Sequence, residues 1–399
     1  MGKSKKINKY VIISGFDLRD NNRGTAALGY GAISFLQQKG ILKAGDNLLN
    51  IRLYRNFLKP NNRKQKELTY KVNGAEWCQT IIGVFFAEWW LLCKFGIRLP
   101  WTKVGRILKN VEYLAAINGG DGFSDIYGTK TFHSRLPETL IAIKMNIPII
   151  QLPQTLGPFK LKSNYNEARY ILRHSKSVYL RDDKFVPELK KMGINYEITK
   201  DLSAYMQPEA WDIDVMPNSI GINISGLAYS NSFRELAGQF SVYPELTNRM
   251  ITHFQRKGHA IYLIPHSYNY KKPEINNDDI IACRAAYERL SNKSNIILVD
   301  KDLTSPQVKY LISKMSFFIG TRMHANFAAI YSGVPLFGLA YSYKFEGAFT
   351  ANGLNGKELT TMINNITTKD IDKIIEKVDR AYNHRTITQT IKVLYTSRK

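Results

Sequence analysis

Cysteine is scarce in this sequence. Cys78, Cys93 and Cys283 are the only three in 399 residues, widely spaced and odd in number, so neither a disulfide framework nor a zinc-ligand pattern is present. A reducing, cytoplasmic setting follows. Also missing is any uninterrupted apolar run long enough to span a bilayer. The apolar stretch from Tyr10 to Phe16 is too short, and too promptly followed by charge, to be a signal peptide. Acidic residues are few as well: 33 Asp and Glu stand against 56 Lys and Arg, leaving +23. That balance favours an anionic partner, whether phosphorylated metabolite, nucleic acid or anionic membrane surface. Nucleic acid is the weakest of these, because the basic residues are spread along the chain without a helix-turn-helix, finger or RNA-binding pattern. The densest clusters, Lys3 to Lys9 and Lys59 to Lys66, read as a solvated terminus and loop.

What is present is material for two cores. A chain of this length with 44% hydrophobic and 12% aromatic residues exceeds what one core serves, so two domains of similar size are expected. Short β-rich runs alternate with helix-compatible segments. The first half offers strands at Lys9–Gly15, Leu48–Leu53, Tyr113–Ile117, Pro148–Leu152, Ser177–Leu180 and Tyr196–Thr199, with helices at Thr25–Gln38, Leu136–Met145, Asn166–His174 and Phe185–Met192. The polar, proline-bearing stretch Met206–Asn218 breaks the alternation and marks a boundary. A second series follows, with strands at Ser219–Ile224, Ala260–Ile264, Asn295–Val299, Phe317–Ile319 and Val334–Leu339, and helices at Tyr243–Lys257, Asp278–Leu290 and Ser305–Met315. The expected architecture is α/β: two Rossmann-like domains facing across a cleft, at 1–205 and 219–365, joined by a linker at 206–218 and followed by a basic helical tail at 366–399. Such a tail can cross back over the first domain.

The region between the second and third strands lacks clear alternation and reads as helices and loops. Within it, Ile81–Gly96 reads as one buried helix. Its adjacent tryptophans beside basic residues also suit a helix lying in a membrane interface.

In open parallel sheets, ligands sit at the carboxyl ends of the strands. There the sequence places Asn22, Gly24 and Thr25 after the first strand, where loop amides and a helix N-terminus can hold an anion. The glycines do not match the dinucleotide fingerprint, so NAD is not expected. After Ile117 comes Asn118-Gly119-Gly120-Asp121-Gly122-Phe123-Ser124-Asp125, in which the glycines allow close backbone approach and Asp121 and Asp125 supply carboxylates. A tight turn with solvated aspartates is the competing account. Further strand tips carry Gln154 in a stiff proline-rich loop, Arg181, Ser225 and His266. The richest tip is Thr321-Arg322-Met323-His324, where a guanidinium that can fork onto carboxylate or phosphate stands two residues from an imidazole able to move a proton.

Five segments in this order, NGGDGFSD, LPQTLGPF, SVYLRDD, the PHS tip and GTRMHANFAAIYSGVPLFGLAYSYKF, resemble the polysaccharide pyruvyl transferases over about Lys9 to Tyr343. Two positions depart from the family pattern: Thr25 follows Asn22-Arg23-Gly24 where an acidic residue is common, and Asn118 stands where a glycine is common. The resemblance implies a fold similar to the glycosyltransferase-B type, phosphoenolpyruvate as donor substrate, no resident cofactor, and a sugar or glycan hydroxyl as acceptor. The product is then a pyruvate ketal in exopolysaccharide or cell-surface glycan. It further implies Arg322, His324 and Asp121 as catalytic residues, with Asn22, Gly24, Thr25, Gly119, Gly120, Asp125, Gln154, Arg181, Ser225 and His266 binding substrate. No metal cluster is legible, and metal dependence stays open. The protein is expected in the cytoplasm, with peripheral contact at the inner face of an anionic membrane as an option. Two alternatives stay open beside this reading: a nucleotide-sugar glycosyltransferase using Glu346 and Arg322, and a non-catalytic glycan-assembly protein.

Overall fold

β-Branched runs with both faces apolar set the centre of each sheet. In the computed structural model, which describes residues 9–15, 17–59 and 64–385, the chain divides into two compact units. Unit 1 takes in the chain up to Leu18 and Leu28–Met206, and unit 2 takes in Arg19–Ala27 and the chain from Gln207 onward. Residues 19–27, placed with the first domain by the sequence reading, thus cluster with the second.

Unit 1 is built on eight strands: β1 (Tyr10–Ser14), β2 (Asn47–Tyr54), β3 (Lys66–Val72), β4 (Ala75–Phe85), β5 (Val111–Ala116), β6 (Ile149–Gln154), β7 (Ser175–Leu180) and β8 (Glu197–Ile198). Their order across the sheet is β3-β4-β2-β1-β5-β6-β7-β8. All neighbours are parallel except β3 and β4. Val11, Ile12 and Ile13 are fully buried, as a central parallel strand covered on both faces requires.

Unit 2 has six parallel strands in the order β11-β10-β9-β12-β13-β14, namely β9 (Ile220–Asn223), β10 (Ile261–Leu263), β11 (Ile296–Leu298), β12 (Phe317–Gly320), β13 (Leu336–Ala340) and β14 (Thr360–Met362). The connecting helices carry their start signals. Thr304 and Gln307 form a reciprocal capping box ahead of Ser305–Ser313, whose first turn holds Pro306. The expectation of two α/β domains with parallel sheets holds in both units.

Two expectations are corrected. The stretch after β2 holds an antiparallel hairpin, β3–β4, turning at Asn73 and Gly74 with φ of 52° and 78°. That pair of left-handed residues closes a two-residue turn whose twist matches the strands. Ile81–Phe85 is the end of β4 rather than part of a helix, because Ile81 and Ile82 are buried within a strand paired to β2, and only Phe86–Phe95 is helical. The tail's described helix, Ile371–Asn383, packs into the core of unit 2. Ile371, Ile374, Ile375, Val378 and Tyr382 recur on one face and join Phe254, Phe317 and Phe337. The remainder of the expected tail helix, at 386–394, lies outside the described residues.

Candidate functional site

The carboxyl ends of β9, β10 and β12 converge on one buried carboxylate. Asp279, the first residue of helix Asp279–Glu288, has no solvent exposure. Its Oδ1 accepts from the Gly226 amide at 2.9 Å and from Arg322 Nε and Nη2 at 3.0 and 2.7 Å. Its Oδ2 accepts from the amides of His266 and Ser267 at 3.0 and 2.9 Å and from Asn223 Nδ2 at 3.3 Å. Asn223 ties the third tip in turn, its Oδ1 accepting the Arg322 amide at 2.8 Å. Arg322 also donates through Nη2 to the Asn277 carbonyl and Oδ1, at 2.6 and 3.0 Å. The guanidinium is therefore fixed in direction and compensated in charge by Asp279, where the sequence reading had a cation open to substrate. Such a pair is costly to break from one side, at about 3–5 kcal/mol.

His324 is the second residue of helix Met323–Ser332 and meets Phe327 edge-on at 5.6 Å. Gly24 backs directly onto it. A Cβ at position 24 would lie 2.6 Å from the Cβ, Cγ and Nδ1 of His324, so the close approach requires glycine. His266 is buried, and burial, reinforced by His324, Arg23 and Arg322, holds its imidazole well below the ordinary histidine range. It is neutral at physiological pH and is no anion-binding cation. Ser225 is also buried, and its Oγ has no hydrogen-bond partner among the described residues. The Ser225 amide donates to Tyr243 Oη at 3.3 Å, which pairs with Thr321 Oγ1 at 2.8 Å.

Residues 19–27 reach this cluster through their backbone and one arginine. The Arg23 amide donates to the His266 carbonyl and the Tyr268 amide to the Asn21 carbonyl, at 3.0 and 2.9 Å. The Arg23 side chain, 6% exposed, donates to the carbonyls of Leu303 and Tyr268 at 2.7 and 3.1 Å and to Asp302 at 3.0 Å, with the Tyr268 ring 4.1 Å away. Asn22 turns out to be a helix cap, its Oδ1 accepting the Gly24 amide at 2.9 Å. Thr25 follows in the first turn of helix Arg23–Gln38. Unit 2 thus brings together Gly24, Ser225, His266, Arg322 and His324, with Asn22 and Thr25 on the adjoining turn.

Unit 1 gathers the other candidates around the end of β5. Gly119 and Gly120 have φ of 72° and 86°, and a Cβ on Gly120 would lie 3.2 Å from Arg181 Nη1. Arg181 pairs with the buried Asp201 at 2.7 Å and donates to Thr155 Oγ1 at 3.0 Å. Through Nε and Nη1 it braces the loop. Asp121 accepts the Tyr127 hydroxyl at 2.8 Å. Asp125 is committed to structure: it accepts the amides of Lys160 at 2.8 Å and Leu161 at 3.1 Å and the Asn164 side chain at 2.9 Å. Burial pushes its carboxyl up, but these bonds outweigh burial and lower it overall. Gln154 Nε2 donates to the Ala116 carbonyl at 3.1 Å. Four buried polar atoms here have no hydrogen-bond partner among the described residues: Ser14 Oγ, both polar atoms of the Asn118 side chain, and Gln154 Oε1.

Sequence reasoning missed Asp279, Asn223, Arg23 and Ser14. Asp278 and Asp279 read as helix-start residues, and indeed Asp278 caps the helix by accepting the Ile280 amide at 3.0 Å. Among the described residues no group of three or more His, Cys, Asp or Glu is placed to hold a metal ion.

Comparison with known proteins adds two findings. The sequence model of a family described as polysaccharide pyruvyl transferase matches residues 22–343. Among solved structures, the UDP-GlcNAc 2-epimerase of Methanocaldococcus jannaschii superposes with a TM-score of 0.54 at 10% identity, over 94% of this chain and 92% of that one. The UDP-GlcNAc 2-epimerase of Neisseria meningitidis, bound to UDP-GlcNAc, gives 0.48 at 12% identity, over 98% of this chain and 100% of that one. At 10% identity the first likeness concerns fold alone, an α/β architecture of two parallel-sheet domains.

Proposed function

Since the chain belongs to the polysaccharide pyruvyl transferase family, we propose that it transfers the enolpyruvyl group of phosphoenolpyruvate to a sugar and closes a pyruvate ketal in exopolysaccharide or cell-surface glycan. The observation that carries this reading is the pairing in unit 2 of a rigidly held guanidinium with an imidazole on the next helix turn. In the proposed reaction His324 delivers a proton to the methylene carbon of phosphoenolpyruvate, making the central carbon electrophilic. A sugar hydroxyl attacks that carbon, the C–O bond to phosphate breaks, and a second hydroxyl closes the ketal. Two hydroxyl protons are lost in all. One balances the proton taken up by the methyl group, and the other leaves with inorganic phosphate.

Arg322, its charge already balanced by Asp279, orients the donor's anionic groups beside the N-terminus of helix Met323–Ser332. On this reading the acceptor's hydroxyls are met in unit 1, at the loop that carries Gly119, Gly120 and Asp121. Asp121 is the base that accepts a hydroxyl proton.

The test is phosphate release from phosphoenolpyruvate with a panel of sugar acceptors, beside thermal shifts with phosphoenolpyruvate and nucleoside diphosphate sugars. His324→Ala should lower turnover about a hundredfold or more at unchanged thermal stability. A folded His324→Ala protein with full transfer activity removes the assignment. Stabilisation by a nucleoside diphosphate sugar and none by phosphoenolpyruvate would favour a glycosyltransferase instead.

A further inference from the structure

Unit 1 carries an exposed apolar surface that its sheet does not explain. Helix Phe86–Phe95 turns Trp89, Leu92 and Cys93 inward, where they pack on the core formed by Leu49, Val84 and Leu114. The opposite face holds Ala87, Trp90 and Lys94, all exposed. Trp90 is 45% exposed and meets Phe95, itself 57% exposed, with ring centres 5.2 Å apart. The chain continues through Ile97 at 48% and Trp101 at 73% exposure. On the other side Phe57 meets Phe85 at 5.3 Å, and Arg55 lies over the Phe86 ring at 4.7 Å. Arg55, Phe85, Phe86 and Ala87 line an open hollow of about 250 Å³. An aromatic surface thus runs from the end of β2 to the far end of the helix.

Its charge is one-sided. Residues 52–109 contain twelve Lys and Arg against three acids, Glu67, Glu76 and Glu88. Glu88 accepts the Thr102 hydroxyl at 2.5 Å, while Arg55, Lys59, Lys94, Lys103, Arg106 and Lys109 stand exposed around the aromatics. A second copy of the chain would bring the same basic excess against itself in a two-fold contact, which disfavours self-association here. Tryptophan and phenylalanine rimmed by lysine and arginine fit a different partner. Aromatic rings settle at the headgroup level of a bilayer while cations contact anionic lipid. No helix among the described residues is long and apolar enough to cross a membrane, so the contact is one of lying on the surface.

We propose that the face formed by Phe57, Leu58, Trp90, Phe95, Ile97 and Trp101 with its basic rim docks unit 1 onto an anionic lipid bilayer. This proposal stands apart from the reading of the reaction and is tested without it. Full-length protein is sedimented with pure phosphatidylcholine vesicles and with vesicles containing phosphatidylglycerol, and tryptophan emission is followed against lipids brominated on the acyl chain. Binding is expected to need phosphatidylglycerol, to weaken as salt shortens the screening length, and to be accompanied by quenching. Trp90→Ser with Trp101→Ser should lower partition about tenfold or more, since the lost contacts are apolar area. Ile275→Ser, at an 84% exposed site in unit 2, should leave partition unchanged. Retained circular dichroism and melting temperature show that the paired variant is folded. Three results overturn the proposal: no binding to phosphatidylglycerol vesicles at low salt, salt-sensitive binding unaffected by the two tryptophan changes, or a dimer in free solution that the same changes dissociate.

Discussion

The strand tips of the two units differ in what ties them together. In unit 2 a single buried carboxylate gathers three tips, and Asp279 accepts six donors from Asn223, Gly226, His266, Ser267 and Arg322. In unit 1 the corresponding region leaves Ser14, Asn118 and Gln154 with buried polar atoms lacking partners among the described residues. Buried polar groups are normally satisfied, and both units depart from that rule: Ser225 Oγ and Asn326 Oδ1 lack partners among the described residues in unit 2, but only there does one carboxylate tie the tips together.

The sharpest way to break the comparison is Asp279→Ala. It strands the Arg322 charge and orphans three backbone amides at once, so the expected loss is about 3–5 kcal/mol in denaturant unfolding. Adding Arg322→Ala should recover part of that loss, because the two residues act as one unit. A loss below about 1 kcal/mol would show that Asp279 does not hold the tips together.

The next contrast is in pH. Unit 1 buries Glu138, whose Oε1 accepts the Ile51 amide at 2.5 Å, and burial pushes its carboxyl up to about 8. The folded chain keeps a proton that the unfolded chain loses above about 4.5, so this contribution is complete below that pH. It falls as pH rises and levels off above about 8. The slope is at most about 1.4 kcal/mol per pH unit. Unit 2 has the reverse case in His266, held neutral. The unfolded chain takes up a proton below about 6.5 that the fold refuses, so stability declines on acidification. Glu138→Gln should flatten the alkaline limb of a stability-against-pH curve, gaining a few kcal/mol near pH 8. His266→Gln should flatten the acid limb. Unchanged limbs would mean that neither group changes ionisation on unfolding.

A smaller effect is expected of Gly24→Ala. The new methyl group meets the His324 ring at 2.6 Å, which overpacking prices at about 1–3 kcal/mol. Because the ring must shift, turnover should fall further than stability alone explains. Wild-type melting and turnover together would show that Gly24 does not set the imidazole's position.

How much of this was legible follows from where the determinants lie. Five of the six strands of unit 2 were readable to within one or two residues because each is an apolar run bounded by turn chemistry, as in Phe317–Gly320 followed by Thr321; β14 was missed because Thr360-Thr361-Met362 is no such run. Arg322, His324 and His266 announced themselves by residue type at strand ends. Asp279 could not, since its partners lie 12 to 56 residues away in sequence and an acid at a helix start has an ordinary explanation. The hairpin β3–β4 was legible but missed: Asn73-Gly74 between alternating residues is its signal, overshadowed by the charged and aromatic residues around it. The apolar run from Ile81 misled because one run serves two elements, and composition does not mark where strand gives way to helix at Phe86.

The smallest effect on stability is expected of Ser14→Ala, and it sharpens the comparison most. Ser14 is 1% exposed at the tip of β1, and its Oγ lacks a partner among the described residues, so removing the hydroxyl deletes a desolvated group and no bond. Stability should be unchanged or rise by up to about 1 kcal/mol. The matching change in unit 2, Thr321→Val, removes a hydroxyl bonded to Tyr243 at 2.8 Å and should cost about 1–2 kcal/mol. Turnover and both KM values should stay as they are after Ser14→Ala, because a side chain 1% exposed offers a substrate no surface. A stability loss from Ser14→Ala equal to that from Thr321→Val would mean that Ser14 is satisfied as fully as Thr321.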